Sequence, residues 1–511
     1  MRPPSSSPRR DFLKKTALAG ASLVTPWHQA LPNFNPVSAS EANVSPSITG
    51  IEPIILKWVK TLESTPRDRL VEEVAHAIKN GKVSYRELLC ALFLSAVKHV
   101  QPRPSVGFKF HAVLVVHSAH LASINSPAQD RWLPILWAID QFKSAQARDV
   151  REGNWTMAAV EESRVPSPDQ AAKEFEAAMI AWDETRADTA SAGVARHLTK
   201  NMAFELFARF AARDYRSIGH KAIYVANAFR TLDVIGWQYA EPILRSLAYA
   251  LLNHVGESNP AKSNHNVDEP WKQNFNLAQR LPQDWIQGET AEGTTSQIVT
   301  GFRGWKPLEA GKEIAELLNG QVSLQSVVDG IYLAGSELMM RQPGIISLHS
   351  LTTTNAIQYL ANTVQDDSLR RRLILQNASF LPFFLQSMRD RGPVKEKVTP
   401  FEDEALPETL MSASQIFESL GINPDVAYLN TRALLKDDPS QFTNYISEAR
   451  RLIFLKGTDS HDYKYSSAII EDIQRLSPRW QPDFAAACIY KLRSPQQPTT
   501  TLVTRIQAAL A

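Results

Sequence analysis

Cysteine is scarce in this 511-residue sequence, and long apolar runs are missing. The two cysteines, Cys90 and Cys488, stand in apolar, helix-like stretches. We therefore expect two buried free thiols, with one long-range disulfide as the alternative, and no disulfide framework. No stretch reaches about 18 uninterrupted apolar residues, the length that spans a bilayer. The formal net charge is only +2, which argues against a strongly basic surface and predicts no nucleic-acid partner.

Standard catalytic motifs are missing as well. The sequence contains no Gly-x-Ser-x-Gly, no phosphate-binding Gly-rich loop, no His-Glu-x-x-His and no Cys-x-x-Cys. The sequence therefore lacks the motifs that are typical of serine hydrolases, P-loop enzymes, zinc proteases and dithiol redox proteins. Covalent c-type haem is excluded because Cys-x-x-Cys-His is absent. The catalytic residues are therefore unknown from the sequence motifs.

The first forty residues have the features of a bacterial export signal. Residues 8–15 read Pro-Arg-Arg-Asp-Phe-Leu-Lys-Lys, a moderately apolar run follows over 16–24, and Val-Ser-Ala at 37–39 suits signal peptidase. Arg-Arg-x-Phe-Leu-Lys is typical of twin-arginine signals. We predict a signal peptide over 1–39, a linker over 40–50, the export machinery as a partner, and a periplasmic or otherwise extracytoplasmic mature chain without an integral membrane segment. The alternative is a disordered basic tail.

From about residue 51 onward, apolar residues recur with the spacing of helices. Leu70, Val71, Val74, Ala77 and Ile78 fall on one helix face. Residues 87–97 are apolar nearly all round, as in a buried helix. No series of alternating strands with hairpin turns is present. The sequence predicts a single all-α domain over 51–511.

The chain repeats itself with an offset of about 240 residues. The segment Asn-Gly-Lys-Val-Ser at 80–84 returns as Asn-Gly-Gln-Val-Ser at 319–323, and His111 and His220 return as His349 and His461. In each copy of the segment, Asn-Gly suits a left-handed helix end and the serine suits the cap of the next helix. We predict two pseudo-symmetric halves, about 60–255 and 301–495, joined by a connector over 256–300.

Each half contains a shorter repeat that starts at one of these four histidines. An alanine follows each histidine after seven or eight residues. In three cases a proline follows 14 or 15 residues later, where it suits the first turn of a second helix. Each quarter is thus predicted to be a helical hairpin, and the four hairpins to form one compact, tandemly duplicated array. The polar segments 145–170, 257–300 and 388–410 are predicted to be connectors or surface loops.

One histidine stands at the matching place of each quarter although its neighbours differ. Phe110, Gly219, Leu348 and Ser460 precede the four. Retention amid such divergence favours a shared task, and the repeat would let four helix starts converge on one axis. Neutral imidazoles suit Fe, Zn, Cu, Ni or Mn. We predict a metal site made of His111, His220, His349 and His461. The alternative is that each histidine packs at its own helix start and satisfies backbone groups.

Lys464 lies one helical turn after His461 and on nearly the same side. A metal ion would repel an ammonium group, so Lys464 would be neutral, carboxylated into an anionic ligand, or turned away. It is the fifth candidate ligand.

Five further polar residues are candidates for contact with the ligands or with substrate. Ser118 and Asn227 each follow their histidine by seven residues and share its helix face, and Asn355 does so less closely. His117 and His120 are spaced i, i+3 but project away from His111. For this pair we expect contact with the ligands from outside, or a surface position, rather than a second metal site.

The histidines, the segment Leu-His-Ser-Leu-Thr-Thr-Thr-Asn-Ala at 348–356 and His-Asp-Tyr-Lys at 461–464 resemble the questin oxidase-like family over about residues 60–495. That family consists of all-helical proteins that oxidise polycyclic aromatic ketones. The resemblance implies a non-haem iron oxygenase whose iron is held by the four histidines, with Lys464 in modified form as a further ligand. This chain departs from the family in its export signal.

The leading hypothesis is an exported, metal-dependent oxidoreductase or oxygenase with Fe(II) as the favoured ion. It would act on a small organic substrate, aromatic in the favoured case, with O2 as a possible co-substrate. The first alternative is a cofactor-free helical-repeat binding or scaffold protein, which requires the four histidines to lie far apart. The second is a protein that binds haem non-covalently in an open slot between two histidines.

Overall fold

Helices account for all the regular structure that can be described. A computed structural model of the chain describes residues 52–103, 109–253, 258–290, 292–395 and 405–511. Within these ranges the only strand-like pairing is a single bridge between Glu289 and Val322. The all-α prediction is therefore confirmed. The predicted signal peptide and linker lie outside the described residues.

The helices of the first half precede residue 256. They are α1 (Pro53–Ser64), α2 (Arg67–Lys79), α3 (Tyr85–His99), α4 (His111–Leu114), α5 (Val116–Ile124), α6 (Trp132–Arg151), α7 (Ala171–Ala181), α8 (Glu184–His197), α9 (Lys200–Ala211), α10 (His220–Ile235) and α11 (Ala240–Leu252).

The remaining helices follow residue 268. They are α12 (Glu269–Arg280), α13 (Glu292–Phe302), α14 (Pro307–Asn319), α15 (Leu324–Arg341), α16 (Ile345–Thr363), α17 (Asp367–Arg389), α18 (Ala413–Leu420), α19 (Pro424–Asp437), α20 (Phe442–Lys456), α21 (Ser460–Ile473), α22 (Gln481–Cys488) and α23 (Thr501–Leu510).

The two Asn-Gly turns end α2 and α14, as their sequences predict. Ser84 caps α3 in a capping box and Ser323 caps α15, contacts typically worth about 1 kcal/mol each. The left-handed residue differs between the copies: it is Gly81 (φ 61°) in the first and Gln321 (φ 65°) in the second. The prediction that the Asn-Gly pair supplies the left-handed residue is wrong for the second copy, because that turn bends one residue later, at Gln321.

Each of the four predicted hairpins is present as a pair of packed helices. The pairs are α5 with α6, α10 with α11, α16 with α17, and α21 with α22. Pro134, Pro242 and Pro482 lie in the first turn of the second helix, where the missing N–H breaks no helical hydrogen bond. The descent of the hairpins from a tandem duplication stays a prediction.

The predicted loops are partly wrong. α6 continues to Arg151, and the connector 256–300 contains α12 and the start of α13. α12 is polar overall, but it buries Trp271, Asn274 and Ala278 on one face. Packing of that narrow face against α17 and α14 stabilises a helix that composition alone does not indicate.

Two apolar clusters make up the core, and the helices that carry the later histidines take part in both. The first core cluster consists mainly of side chains from α1–α12, α14, α17 and α23. The second core cluster consists mainly of side chains from α15, α18–α20 and α22. α16 gives Ile357 to the first and Leu351 to the second, and α21 gives Tyr463 to the first and Tyr465 to the second. Both helices therefore lie along the seam between the clusters.

Both cysteines are buried and free, as predicted. Among the described residues, no helix combines the length and the apolar character that a bilayer crossing requires.

Candidate metal centre

The four predicted histidines meet inside the helical array. His111 and His220 are the first residues of α4 and α10, and His461 is the second residue of α21. His349 does not open its helix as expected; it is the fifth residue of α16, because that helix begins earlier, at Ile345 after Gly344. All four side chains are buried.

The four imidazole rings form a closed group. Ring centroids lie 4.4 Å apart for His111 and His461, 4.6 Å for His220 and His349, 4.8 Å for His111 and His220, and 5.2 Å for His349 and His461. Residues that are up to 350 positions apart in the chain thus share one small volume.

Three of the rings point ligand atoms at a common position. The Nε2 atom of His220 lies 3.0 Å from Nε2 of His111 and 3.0 Å from Nε2 of His349. The ligand atoms of these three residues all lie within 4.8 Å of one another. This buried three-histidine group could hold a metal ion, a role compatible with metal-dependent function.

The partners of the Nδ1 atoms fix the tautomers. Nδ1 of His220 lies 2.8 Å from the carbonyl oxygen of Ser217, and Nδ1 of His349 lies 2.6 Å from that of Ile345. Because a carbonyl oxygen only accepts, each Nδ1 carries the proton and donates it. Each Nε2 of a neutral ring then presents a lone pair, as in metal-ligating histidines oriented by an outer hydrogen bond.

His461 is oriented in the same way by a carboxylate. Its Nδ1 lies 3.2 Å from Oδ1 of Asp459, which also accepts the backbone N–H of His461 and caps α21. Sequence reasoning missed Asp459, although Asp459-Ser-His-Asp462 has the capping-box pattern that marks a helix start.

Electrostatics keep the imidazoles neutral. Burial lowers the pKa of His111, His220 and His349 well below the usual value of 6.5, and the nearby Lys464 amine and the other imidazoles lower it further. Burial also lowers the pKa of His461, while Asp459 partly opposes that shift. Neutral imidazole is the form that binds metals.

Lys464 is buried beside the histidines. Burial lowers the pKa of its amine to about 7, with Asp459 opposing the shift. Its Nζ atom has no hydrogen-bond partner among the described residues. The amine is therefore available as a neutral nucleophile near neutral pH.

A close approach of backbone to side chain positions the start of α10. Gly219, which precedes His220, has φ 83°, and a Cβ atom at this position would overlap the side chain of Thr353 in α16. Only glycine satisfies both conditions. Thr353 lies one turn after His349, so this contact sets the spacing of the two histidines.

Four of the five other predicted candidates share one small cavity with Lys464, which we call the inner cavity. Ser118, Asn227, Asn355, His117 and Lys464 line one cavity of about 20 Å³, room for a single water. The structure thus brings five of the predicted residues together.

The two asparagines bind neighbouring helices. Asn227 donates to the carbonyl of Leu114 (3.1 Å), and Asn355 donates to Glu471 (2.9 Å) and Asp472 (2.8 Å). They cross-link α10 to α4 and α16 to α21, so they support the ligand helices.

His117 and His120 are both buried, which excludes the surface alternative for this pair. Nδ1 of His117 has no hydrogen-bond partner among the described residues. Nδ1 of His120 lies 2.9 Å from the hydroxyl of Tyr85, and His120 does not line the inner cavity. His120 therefore belongs to the packing between α3 and α5.

A larger cavity of about 150 Å³ lies on the outer side of the cluster, and His111 and His461 form part of its wall. Sequence reasoning did not find it, because its remaining lining comes from separate segments. These lining residues are Lys109, Ala112, Gln141, Ser144, Ala145, Arg148, Arg151, Asp459 and Ser460. We refer to it as the outer cavity.

Fold and site together define a helical protein with a buried histidine cluster competent to hold a metal ion. Comparison with known proteins adds no closer assignment: no family model, no curated protein and no solved structure matches this chain. The resemblance to the questin oxidase-like family thus stays a hypothesis from the residues named above.

Proposed function

We propose that this chain is an exported, metal-dependent oxidoreductase that holds one transition ion, Fe(II) in the favoured case, and acts on a small organic substrate with O2. The observation that carries the proposal is the pair of Nε2 atoms of His220 and His349. Each is an unprotonated acceptor, yet they lie 3.0 Å apart. Two lone pairs at this distance repel each other unless a cation lies between them, and burial disfavours a proton in that role.

Two of the nitrogen separations in the histidine cluster fit a six-coordinate ion. Metal–nitrogen bonds of about 2.1 Å place neighbouring ligands about 3.0 Å apart in an octahedron and about 3.4 Å apart in a tetrahedron. The separations of His220 from His111 and His349, both 3.0 Å, match the octahedron. Four imidazoles would fill four positions of an octahedron and a carbamate on Lys464 would fill a fifth, which leaves one open position for O2, an arrangement that suits Fe(II) better than structural zinc.

Lys464 supports the same proposal as a fifth ligand in carboxylated form. A neutral amine attacks CO2, a carbon–nitrogen bond forms, and one proton leaves to give an anionic carbamate. The buried, unpartnered Nζ with a pKa of about 7 suits this reaction. Carbon-13 NMR of protein equilibrated with labelled CO2 tests the step: a carbamate signal that disappears in Lys464→Met is expected, and its absence from the parent protein contradicts the modification.

The alternatives fit the geometry less well. A cofactor-free scaffold requires the histidines to be far apart and locally satisfied, whereas their rings are packed together. Haem between two histidines requires an open slot, whereas the adjoining outer cavity measures about 150 Å³, the size of a single six-membered ring.

Export by the twin-arginine route is part of the proposal and rests on residues 9–14 of the sequence alone. Cell fractionation tests it: replacing Arg9 and Arg10 by lysine should retain the protein in the cytoplasm. Unchanged export of that double variant would contradict the route.

Nitric oxide tests the proposed iron site, because it binds Fe(II) at a position that O2 could occupy. Protein loaded anaerobically with Fe(II) should give the EPR signal of a high-spin iron–nitrosyl. His349→Ala should abolish the signal, and His197→Ala, at an exposed histidine, should preserve it. A folded parent protein without the signal would contradict the proposal.

A further inference from the structure

The outer cavity joins the histidine cluster to the surface. Its inner wall contains the buried His111 and His461, and its outer wall contains Arg151, an exposed residue at the end of α6. Between these two ends, Gln141 and Ser144 of α6 line the cavity and offer hydrogen-bonding groups. A molecule in this space would touch the cluster at one end and Arg151 at the other.

Three of the four charged side chains that line the outer cavity, the histidines apart, are cationic, and two of these three form ion pairs. Lys109 is buried and pairs with Asp149 (2.6 Å) and Glu152 (3.0 Å), and Arg148 pairs with Glu152 (2.6 Å). Among the described residues no ion pair is found for Arg151, and the neighbouring Glu152 pairs with Lys109 and Arg148 instead. The guanidinium at the outer end is therefore the group that is free to bind an anion.

A bound divalent ion makes the cavity positive. Lys109, Arg148 and Arg151 are balanced in number by Asp149, Glu152 and Asp459. The neutral imidazoles compensate none of the charge of the ion and a carbamate on Lys464 compensates one unit of it, so a net positive charge remains. A cavity of this kind concentrates anions.

The volume limits the part of the ligand that lies inside the cavity. About 150 Å³ is the size of an apolar cavity that holds one benzene molecule. A polycyclic ketone, the substrate class that the family resemblance implies, is too large for it.

We propose that the outer cavity binds a small organic anion with at most one six-membered ring, with its acidic group on Arg151 and its opposite end toward His111 and His461. The inference rests on the proposed function in one respect: the ion of the histidine cluster contributes to the positive potential. Arg151 is the residue that selects the charge of the substrate, and the volume selects its size.

Calorimetric titration of the metal-loaded protein tests the proposal with benzoate, the neutral benzamide and the tricyclic anthracene-2-carboxylate. Benzoate should bind, benzamide should bind about tenfold more weakly, and the tricyclic acid should not bind. Arg151→Gln should weaken benzoate binding about tenfold and leave benzamide binding unchanged, since only the charge-assisted hydrogen bond is lost. Arg164→Gln, at an exposed arginine paired with Glu161 outside the cavity, is the matched control and should change nothing.

Equal affinities for benzoate and benzamide, an unchanged Arg151→Gln variant, or binding of the tricyclic acid would each overturn the inference. Its failure is separable from failure of the proposed function. A folded parent protein that gives no iron–nitrosyl signal but binds benzoate through Arg151 would contradict the metal proposal and support this one. A parent protein that gives the iron–nitrosyl signal but does not bind benzoate would contradict the present inference and support the metal proposal.

Discussion

At the scale of single residues, the cluster depends on partners that fix each imidazole. Ser217 and Ile345 supply backbone carbonyls and Asp459 supplies a carboxylate. Sequence comparison within the chain found the four histidines, because their spacing is repeated. It could not find the carbonyl partners, since a backbone oxygen carries no residue signature, and it overlooked Asp459, which was readable as a helix cap.

Asp472 provides a prediction about pH and stability. It is buried and accepts hydrogen bonds from Asn355 and Tyr332, and burial raises its pKa from 3.8 to about 7. The folded state therefore binds a proton more tightly than the unfolded state. The resulting stabilisation is complete below pH 3.8 and disappears as the pH rises through about 7, at about 1.4 kcal/mol per unit of pKa difference.

Denaturant unfolding of Asp472→Asn between pH 5 and pH 8 checks this expectation. The parent protein should lose unfolding free energy over this range relative to the variant, and the exposed Asp437→Asn should follow the parent. Parallel curves for all three proteins would show that Asp472 is ionised in the fold.

At the scale of helices, the approach of α10 to α16 fixes the distance between His220 and His349. Gly219 allows this contact because its φ is positive and Thr353 occupies the space of a side chain. Sequence reasoning placed both helices from the repeat that starts at each histidine but misjudged where α16 begins. It also missed α12, whose buried face is only a few residues wide. Contacts between distant segments decide both features, and a single sequence does not display them.

Gly219→Ala tests this contact. The substitution should cost roughly 3 kcal/mol or more, from backbone strain plus overlap with Thr353, and should reduce metal binding. Gly153→Ala is a matched control: its φ is also positive (133°), but no atom lies within 4 Å of the added Cβ. It should cost only about 1 kcal/mol, from backbone strain alone.

The double variant Gly219→Ala with Thr353→Ala should recover part of the loss, because the second change removes Oγ1 and Cγ2 of Thr353, the two closest atoms, and leaves only its Cβ. Thermal unfolding and metal content measure both effects. Equal costs for the two glycine variants would contradict the role of the contact.

At the scale of the whole molecule, the histidine cluster lies where α16 and α21 join the two core clusters. The all-α fold class was predictable because the apolar periodicity of helices runs through most of the chain. The seam and the two cavities were not, because they are made by segments hundreds of residues apart. Ligands on α4, α10, α16 and α21 would let one ion tie the seam together.

Metal removal should therefore lower the stability of the entire fold. An ion present at about 100 times its Kd stabilises the native state by about 2.7 kcal/mol. A chelator should lower the Tm of the parent protein and leave the Tm of His349→Ala unchanged. A chelator effect of equal size in both proteins would place the ion elsewhere.

Metal content of the purified protein tests the central claim most directly. Elemental analysis should find about one transition ion per chain in the parent protein and in the exposed control His197→Ala, and almost none in a folded His349→Ala. A parent protein that is folded and metal-free after incubation with Fe(II), Mn(II) and Zn(II), or a His349→Ala variant that keeps its ion, would contradict the histidine cluster as a metal centre.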